Sequence, residues 1–230
     1  MARGYDPNLL PPAPDFYFEA RLWGNGYRVV AGIDEAGRGA LAGPVAVGAL
    51  VFPPDLDLQV ELKGVNDSKL LAPEQRSYWA VRIQDVALAW QVGFSQAGEI
   101  DEYGIVPAVR LAAGRALAGL NVAPEILITD YLELPDCPLP QISLVKGDAR
   151  SLSVAAASIL AKTARDALLC DLEAGYPGYG FARHKGYGTA AHRAALERLG
   201  PSRLHRRSFE PLRSLTPARA ETEFAAPQLS

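Results

Sequence analysis

Residues 28–34 carry apolar or small side chains on both faces of an extended chain, with Val29, Ala31 and Ile33 on one side and Val30 and Gly32 on the other. Such a strand can show neither face to water, so it demands a sheet covered by helices on both sides. Further apolar strands are expected at residues 45–52, 87–94, 126–129 and 142–145. Helices are expected from Pro73 onward, over about 106–120, over 151–172 and over 189–199, while the Gly-Tyr-Pro-Gly-Tyr-Gly run at 175–180 reads as a loop. Strands interleaved with helices give an α/β fold. Residues 1–27, rich in Pro, Gly and aromatics, read as a loosely ordered arm with one helical turn near 16–22. Residues 28–213 form the body, ending in a helical part from about 175, and 214–230 read as a disordered tail.

Composition narrows the classes. The 230 residues are 49% hydrophobic and 21% charged, which excludes a disordered, collagen-like or coiled-coil chain. The longest uncharged stretch, 39–54, is shorter than the ~20 apolar residues of a membrane span. The N-terminus has no apolar core with a cleavage site, so a cytoplasmic chain is expected, and nothing requires an oligomer. Cys137 and Cys170 sit in no C-x-x-C pair and near no His cluster, and read as incidental thiols. The net charge of -3 conceals an asymmetry: residues 183–213 hold eight Lys or Arg, two Glu and all three His, a local +6, leaving -9 for the rest. A basic segment on an acidic body suits a polyanion.

Acids gather at strand ends: Asp34 with Glu35, Asp130, and Asp148. Carboxylates that close cannot all stay ionised without cations among them, and oxygen donors with no Cys or His nearby select Mg²⁺ or Mn²⁺. The pattern predicts a two-ion site for phosphoryl transfer. Neighbouring strand residues face opposite ways, so Asp34 and Glu35 serve one site only if the chain bends there, a bend that Gly37 and Gly39 permit. The glycine spacing fits neither a P-loop nor the dinucleotide fingerprint. On the long helix, Ser158, Lys162 and Arg165 share a face. They are expected to orient the acids or touch a duplex, whereas Asp166 reads as an ion-pair residue.

Val30-Ala-Gly-Ile-Asp-Glu-Ala-Gly-Arg-Gly-Ala-Leu-Ala-Gly-Pro-Val45 resembles the opening signature of the ribonuclease HII family. Asn66-Asp-Ser-Lys-Leu-Leu71, Lys146-Gly-Asp148 with Ser153-Val-Ala-Ala-Ala-Ser-Ile-Leu-Ala-Lys162, and His184-Lys-Gly-Tyr-Gly-Thr189 resemble later motifs of that family, in its order. The resemblance implies a ribonuclease H-like mixed sheet flanked by helices, with a small C-terminal helical region. It further implies endonucleolytic cleavage of RNA in RNA–DNA hybrids and of single ribonucleotides embedded in duplex DNA. By position it assigns the metal-binding acids to Asp34, Glu35, Asp130 and Asp148. The Gly37-Arg38-Gly39 turn would read the 2′-hydroxyl, and Tyr187 would stack on the following sugar. A reader of the 2′-hydroxyl also makes physical sense, since that group alone separates RNA from DNA. Lys69 and Lys146 are assigned to phosphates, and His184 is a candidate for proton transfer or for structure.

Two positions depart from the family pattern. Tyr131 stands where a glycine usually follows the third acid, which makes Glu133 a competitor of Asp130, and Gly104 stands where an asparagine is common. The alternatives are a non-catalytic hybrid-binding module with a degraded metal site, and a related nuclease that also cuts all-DNA duplexes.

Overall fold

The computed structural model describes residues 10–214, so the expected tail from 215 and the first nine residues of the arm lie outside the described residues. Five strands form one mixed sheet: β1 (Val30–Ala36), β2 (Val45–Val51), β3 (Ala89–Ser95), β4 (Ile126–Asp130) and β5 (Gln141–Leu144), in the order β3-β2-β1-β4-β5. β2 pairs antiparallel with β1 and β3, whereas β4 runs parallel to β1 and β5 parallel to β4.

The two faces of β1 enter two cores, as its pattern requires. Ala31 and Ile33, with Val47, Ala49 and Leu127, meet Ala108, Val109, Ala112 and Ala116 of α5 (Ile105–Ala118). On the other face Val30, Leu50 and Ile128 pack against α6 (Leu152–Asp171), with α3 (Pro73–Val86) beyond it. α6 lies very close to the sheet, because a Cβ on Gly32 would overlap Ser153 and one on Gly48 would overlap the Ala157 carbonyl. Ser151 caps α6, its hydroxyl accepting from the Val154 N–H at 3.2 Å. Two short helices escaped the periodicity argument, α2 (Leu58–Glu61) and α4 (Ala97–Tyr103). Gly104, at φ 85° and ψ 164°, breaks α4 from α5 in a backbone region open essentially to glycine alone.

The loose arm is corrected by the structure. Residues 17–24 form a full helix, α1 (Tyr17–Gly24), and Phe16, Leu22 and Trp23 are buried in the α6-side core. Glu19 is buried with them, accepting from Ser151 Oγ at 2.6 Å and from the Ser153 N–H at 2.9 Å. The arm thereby supplies a carboxylate to the N-terminus of α6. At the other end, α7 (Phe181–His184) and α8 (Ala190–Leu199) form the expected C-terminal helical part. Its aromatics pack among themselves: Phe181 is buried, with Tyr179 stacked on it at 5.3 Å.

Candidate active site

Parallel pairing brings the ends of β1 and β4 to one edge, where Ile33 lies opposite Thr129 and the next residues are Asp34 and Asp130. β5 runs alongside with Leu144 opposite Asp130. The chain then reverses at Lys146, held left-handed at φ 58°, and Asp148 falls in the turn Gly147–Ala149. Asp34, Asp130 and Asp148 each offer an oxygen within 4.8 Å of the others. The Gly147 N–H donates to Asp130 Oδ1 at 2.7 Å, and the Glu35 N–H to Asp34 Oδ1 at 2.7 Å.

Burial sets the electrostatics. Asp34 is 4% exposed, and burial pushes its pKa well up, with the charges of Glu35, Asp130 and Asp148 adding to the effect. Burial also raises Asp130, with Glu35 adding and the Gly147 hydrogen bond opposing, and raises Asp148, with Asp130 and Asp67 adding. Lys69 Nζ stands 3.5 Å from Asp148 and 3.7 Å from Asp67, on a side chain 72% exposed. Burial opposes its charge, but Asp67, Asp148 and Asp34 outweigh that, so its pKa is raised. One exposed lysine does not neutralise three clustered carboxylates. An oxygen-only donor set that repels itself fits a hard divalent cation.

Glu35 is close enough for its charge to act on Asp34 and Asp130, but it is not one of the three converging acids. Its carboxylate lies 3.4 Å from Arg38. The expected bend between Asp34 and Glu35 is absent: β1 continues to Ala36, and the chain turns only at Gly37, φ 86°. Both acids lie within the last three residues of β1, so both stand at one edge of the sheet.

The Gly37-Arg38-Gly39 turn rests on two fully buried arginines. Arg206 donates to the carbonyls of Gly43 at 3.0 Å, Arg38 at 2.9 Å and Gly37 at 2.8 Å. Arg165 donates to Pro44 at 2.7 Å, Ala42 at 3.0 Å and Lys185 at 2.9 Å. A Cβ on Gly37 would overlap the Arg165 guanidinium. Burial lowers the pKa of both, that of Arg206 to about 9 with the charge of Arg165 adding. Arg165, expected to orient the acids or touch a duplex, is therefore corrected to a clamp on loop carbonyls. Ser158 is corrected likewise: it is buried, accepts from the Ser68 N–H at 3.2 Å, and so anchors the loop bearing Lys69. Arg206 escaped sequence reasoning because, in a basic run, nothing marks which arginine is buried.

His184 is buried, its Nε2 on the Tyr179 carbonyl at 2.8 Å and its Nδ1 accepting from the Gly186 N–H at 3.2 Å, so both ring nitrogens serve structure rather than proton transfer. Lys162 pairs with Asp166 at 2.7 Å and lies 5.1 Å from the Tyr187 ring centre, with Arg165 at 5.4 Å. Asp166 also faces Arg76 at 3.6 Å, which bears out its ion-pair reading. Lys146 is exposed at the edge of the acids.

A family model described as Ribonuclease HII matches residues 31–211. Ribonuclease HII of Dehalococcoides mccartyi is 49% identical over 207 residues, 88% of this chain and 95% of that protein. Ribonuclease HII of Thermus thermophilus is 53% identical over 194 residues, covering 84% and 92% of the two chains. The chain belongs to the ribonuclease HII family. It is accordingly a metal-dependent endonuclease of the ribonuclease H type. The crystal structure of ribonuclease H2 from Pyrococcus horikoshii superposes with a TM-score of 0.64 at 27% identity, covering 81% of this chain and 96% of that one. The ribonuclease H-like sheet is thus the shared frame. Within this ribonuclease HII frame the Tyr131 departure is absorbed locally. Tyr131 takes the left-handed conformation at φ 47°, its N–H bonds to the Leu144 carbonyl at 2.9 Å, and Asp130 keeps its place in the cluster. Glu133 is not among the converging acids.

Proposed function

We propose that this protein hydrolyses the RNA strand of RNA–DNA hybrids and cuts 5′ of ribonucleotides embedded in duplex DNA, leaving 3′-hydroxyl and 5′-phosphate ends. The observation that carries the reading is the convergence of Asp34, Asp130 and Asp148 within 4.8 Å at a sheet edge. The names of the relatives support a ribonuclease H substrate. Those three acids, with Glu35 beside them, would hold two Mg²⁺ or Mn²⁺ ions. Divalent ions there supply Lewis acidity for the phosphate and a lowered pKa for the attacking water.

The chain's own groups do the rest. The carboxylates, pre-formed at the ends of β1 and β4 and in the turn after β5, would receive the cations without reorganisation. Lys69 and Lys146 offset phosphate charge. The backbone of the Gly37-Arg38-Gly39 turn, braced by Arg206, faces the 2′-hydroxyl and rejects deoxyribose through its unmet hydrogen bond. Tyr187 supports the next sugar. The degraded-site reading loses its ground, since the Tyr131 turn leaves Asp130 in the cluster.

The test incubates the protein with a labelled DNA duplex carrying one ribonucleotide and with its all-DNA twin, with Mg²⁺, with Mn²⁺ and with chelator. Metal-dependent cutting 5′ of the ribonucleotide alone is expected. Cutting of the all-DNA twin would move the protein to a less discriminating nuclease, and binding of the duplex without any cutting would make it a binding module.

A further inference from the structure

Between the start of α3, the second half of α6 and the 183–187 loop lies a cavity of about 520 Å³. Its charged lining is one-sided: Arg76, Lys162, Arg183 and Lys185 face a single carboxylate, Asp166. Asp166 is shared by Lys162 and Arg76, and Arg76 also spends a nitrogen on the Ser68 and Leu71 carbonyls, at 3.1 and 2.5 Å. Lys185 donates to the Ala182 carbonyl. Among the described residues the Arg183 side chain makes no hydrogen bond or ion pair, and it is exposed. Thr163 also lines the cavity, and its buried hydroxyl has no partner. Four cations against one carboxylate, with an unused guanidinium at the rim, make a seat for an anion with several acceptor oxygens.

The cavity continues the site already described. Tyr187 and Lys162 belong to its wall, the Tyr187 ring lies over Arg165, and Arg165 packs against Gly37 beside the carboxylates. Ala157 of α6 abuts Gly48, the strand partner of Asp34. Along α6 the cavity wall runs from Lys162 to Cys170, about 8 to 20 Å beyond Ala157 at 1.5 Å per residue, or about two to six base-pair steps of a duplex. We infer that this cavity seats a backbone phosphate of the bound duplex, several nucleotides from the scissile bond on the Tyr187 side. The inference rests on the proposed substrate and extends its footprint beyond the acids.

Cys170 is an exposed thiol inside the cavity, and Cys137 precedes β5 near the opposite end of the sheet, so the protein carries a probe and an internal reference. The full chain is alkylated with N-ethylmaleimide in chelator, with and without duplex carrying one ribonucleotide, and each cysteine is quantified by peptide mass spectrometry. Duplex at ten times its Kd should slow alkylation of Cys170 about tenfold while leaving Cys137 unchanged. Shortening one arm of the duplex should abolish the protection, and shortening the other should not. Arg183→Ala should weaken binding and reduce the slope of log affinity against log salt by about 1, whereas Arg82→Ala, whose guanidinium pairs with Glu61, should leave it unchanged. Binding without Cys170 protection and with an unchanged Arg183→Ala slope overturns the inference and leaves the proposed substrate standing. Protection by 10 mM inorganic phosphate alone, with none from the duplex, overturns it in favour of a free-anion site. Failure of the wild-type chain to bind the duplex at all overturns the proposed substrate and the footprint together.

Discussion

Asp34 is the residue on which most forces converge. Its carboxylate is buried beside Asp130 and Asp148, and both burial and the neighbouring charges oppose ionisation. Asp34→Asn removes a proposed cation ligand and, in metal-free protein, also removes repulsion. Metal-dependent cleavage of a hybrid should fall by at least about 10³-fold, a transition-state loss of about 4 kcal/mol, while the thermal midpoint of the metal-free variant equals or exceeds that of the wild type. Full activity in the variant would remove Asp34 from the chemistry. Tyr131 shows a different economy: it is 73% exposed and left-handed directly after Asp130. Tyr131→Gly should stabilise the chain by about 1 kcal/mol, since glycine adopts that backbone without the Cβ penalty. A denaturant titration reads this directly, and a loss of stability would show that the exposed ring packs more tightly than its accessibility implies.

Elements are held at the site by buried polar groups rather than by the motif residues alone. Arg165 and Arg206 tie the 37–44 loop to α6 and to the segment after α8 through five of its carbonyls, and Arg165 adds the Lys185 carbonyl. That segment is joined to α8 by a histidine chain. His192 Nδ1 meets the Tyr187 carbonyl at 3.0 Å, its Nε2 meets His205 Nε2 at 3.0 Å, and His205 Nδ1 accepts from the Ser202 N–H at 2.9 Å. The pattern closes with both rings neutral: His192 donates to Tyr187, and His205 donates to His192. Burial lowers the pKa of His205 to about 4, with the nearby His192, His184 and Arg207 adding, and burial lowers that of His192 as well. A folded pKa below the unfolded 6.5 means that the unfolded chain binds the proton first, so this stability is present above pH 6.5 and is lost as pH falls towards 4. The metal-free carboxylates, with raised pKa values, move the opposite way. The comparison is therefore with His205→Gln: the advantage of the wild type in unfolding free energy should shrink by about 3 kcal/mol between pH 7 and pH 4. A constant gap would mean that His205 is not held neutral by its partners.

The whole molecule joins its N-terminal helix to its acidic edge. Phe16, Leu22 and Trp23 belong to the main core and Glu19 to the start of α6, whose next turns pack beneath the sheet that carries Asp34. Removing residues 1–24 should cost several kcal/mol, at about 1.5–3 kcal/mol for each large apolar side chain lost from the core, and would read as a lower denaturant midpoint. A dispensable arm would leave the midpoint unchanged. Among the described residues no helix is long and apolar enough to cross a membrane. The α/β class, the main strands and longer helices, and the acids at strand ends were legible in the sequence, because apolar periodicity and chain-local spacing carry them. Asp34, Asp130 and Asp148 were legible for the same reason, each lying at or just beyond a readable strand end. The short helices α2 and α4, the docking of α1, and the burial of Ser158, Arg165, Arg206 and Glu19 were not. A polar side chain looks alike in sequence whether it faces water or carbonyls brought to it from more than a hundred residues away. Local pattern determined which strands and acids this protein has; long-range packing alone decided which polar groups were to be buried, because only the assembled fold supplies the partners that make burying a charge or a hydroxyl tolerable.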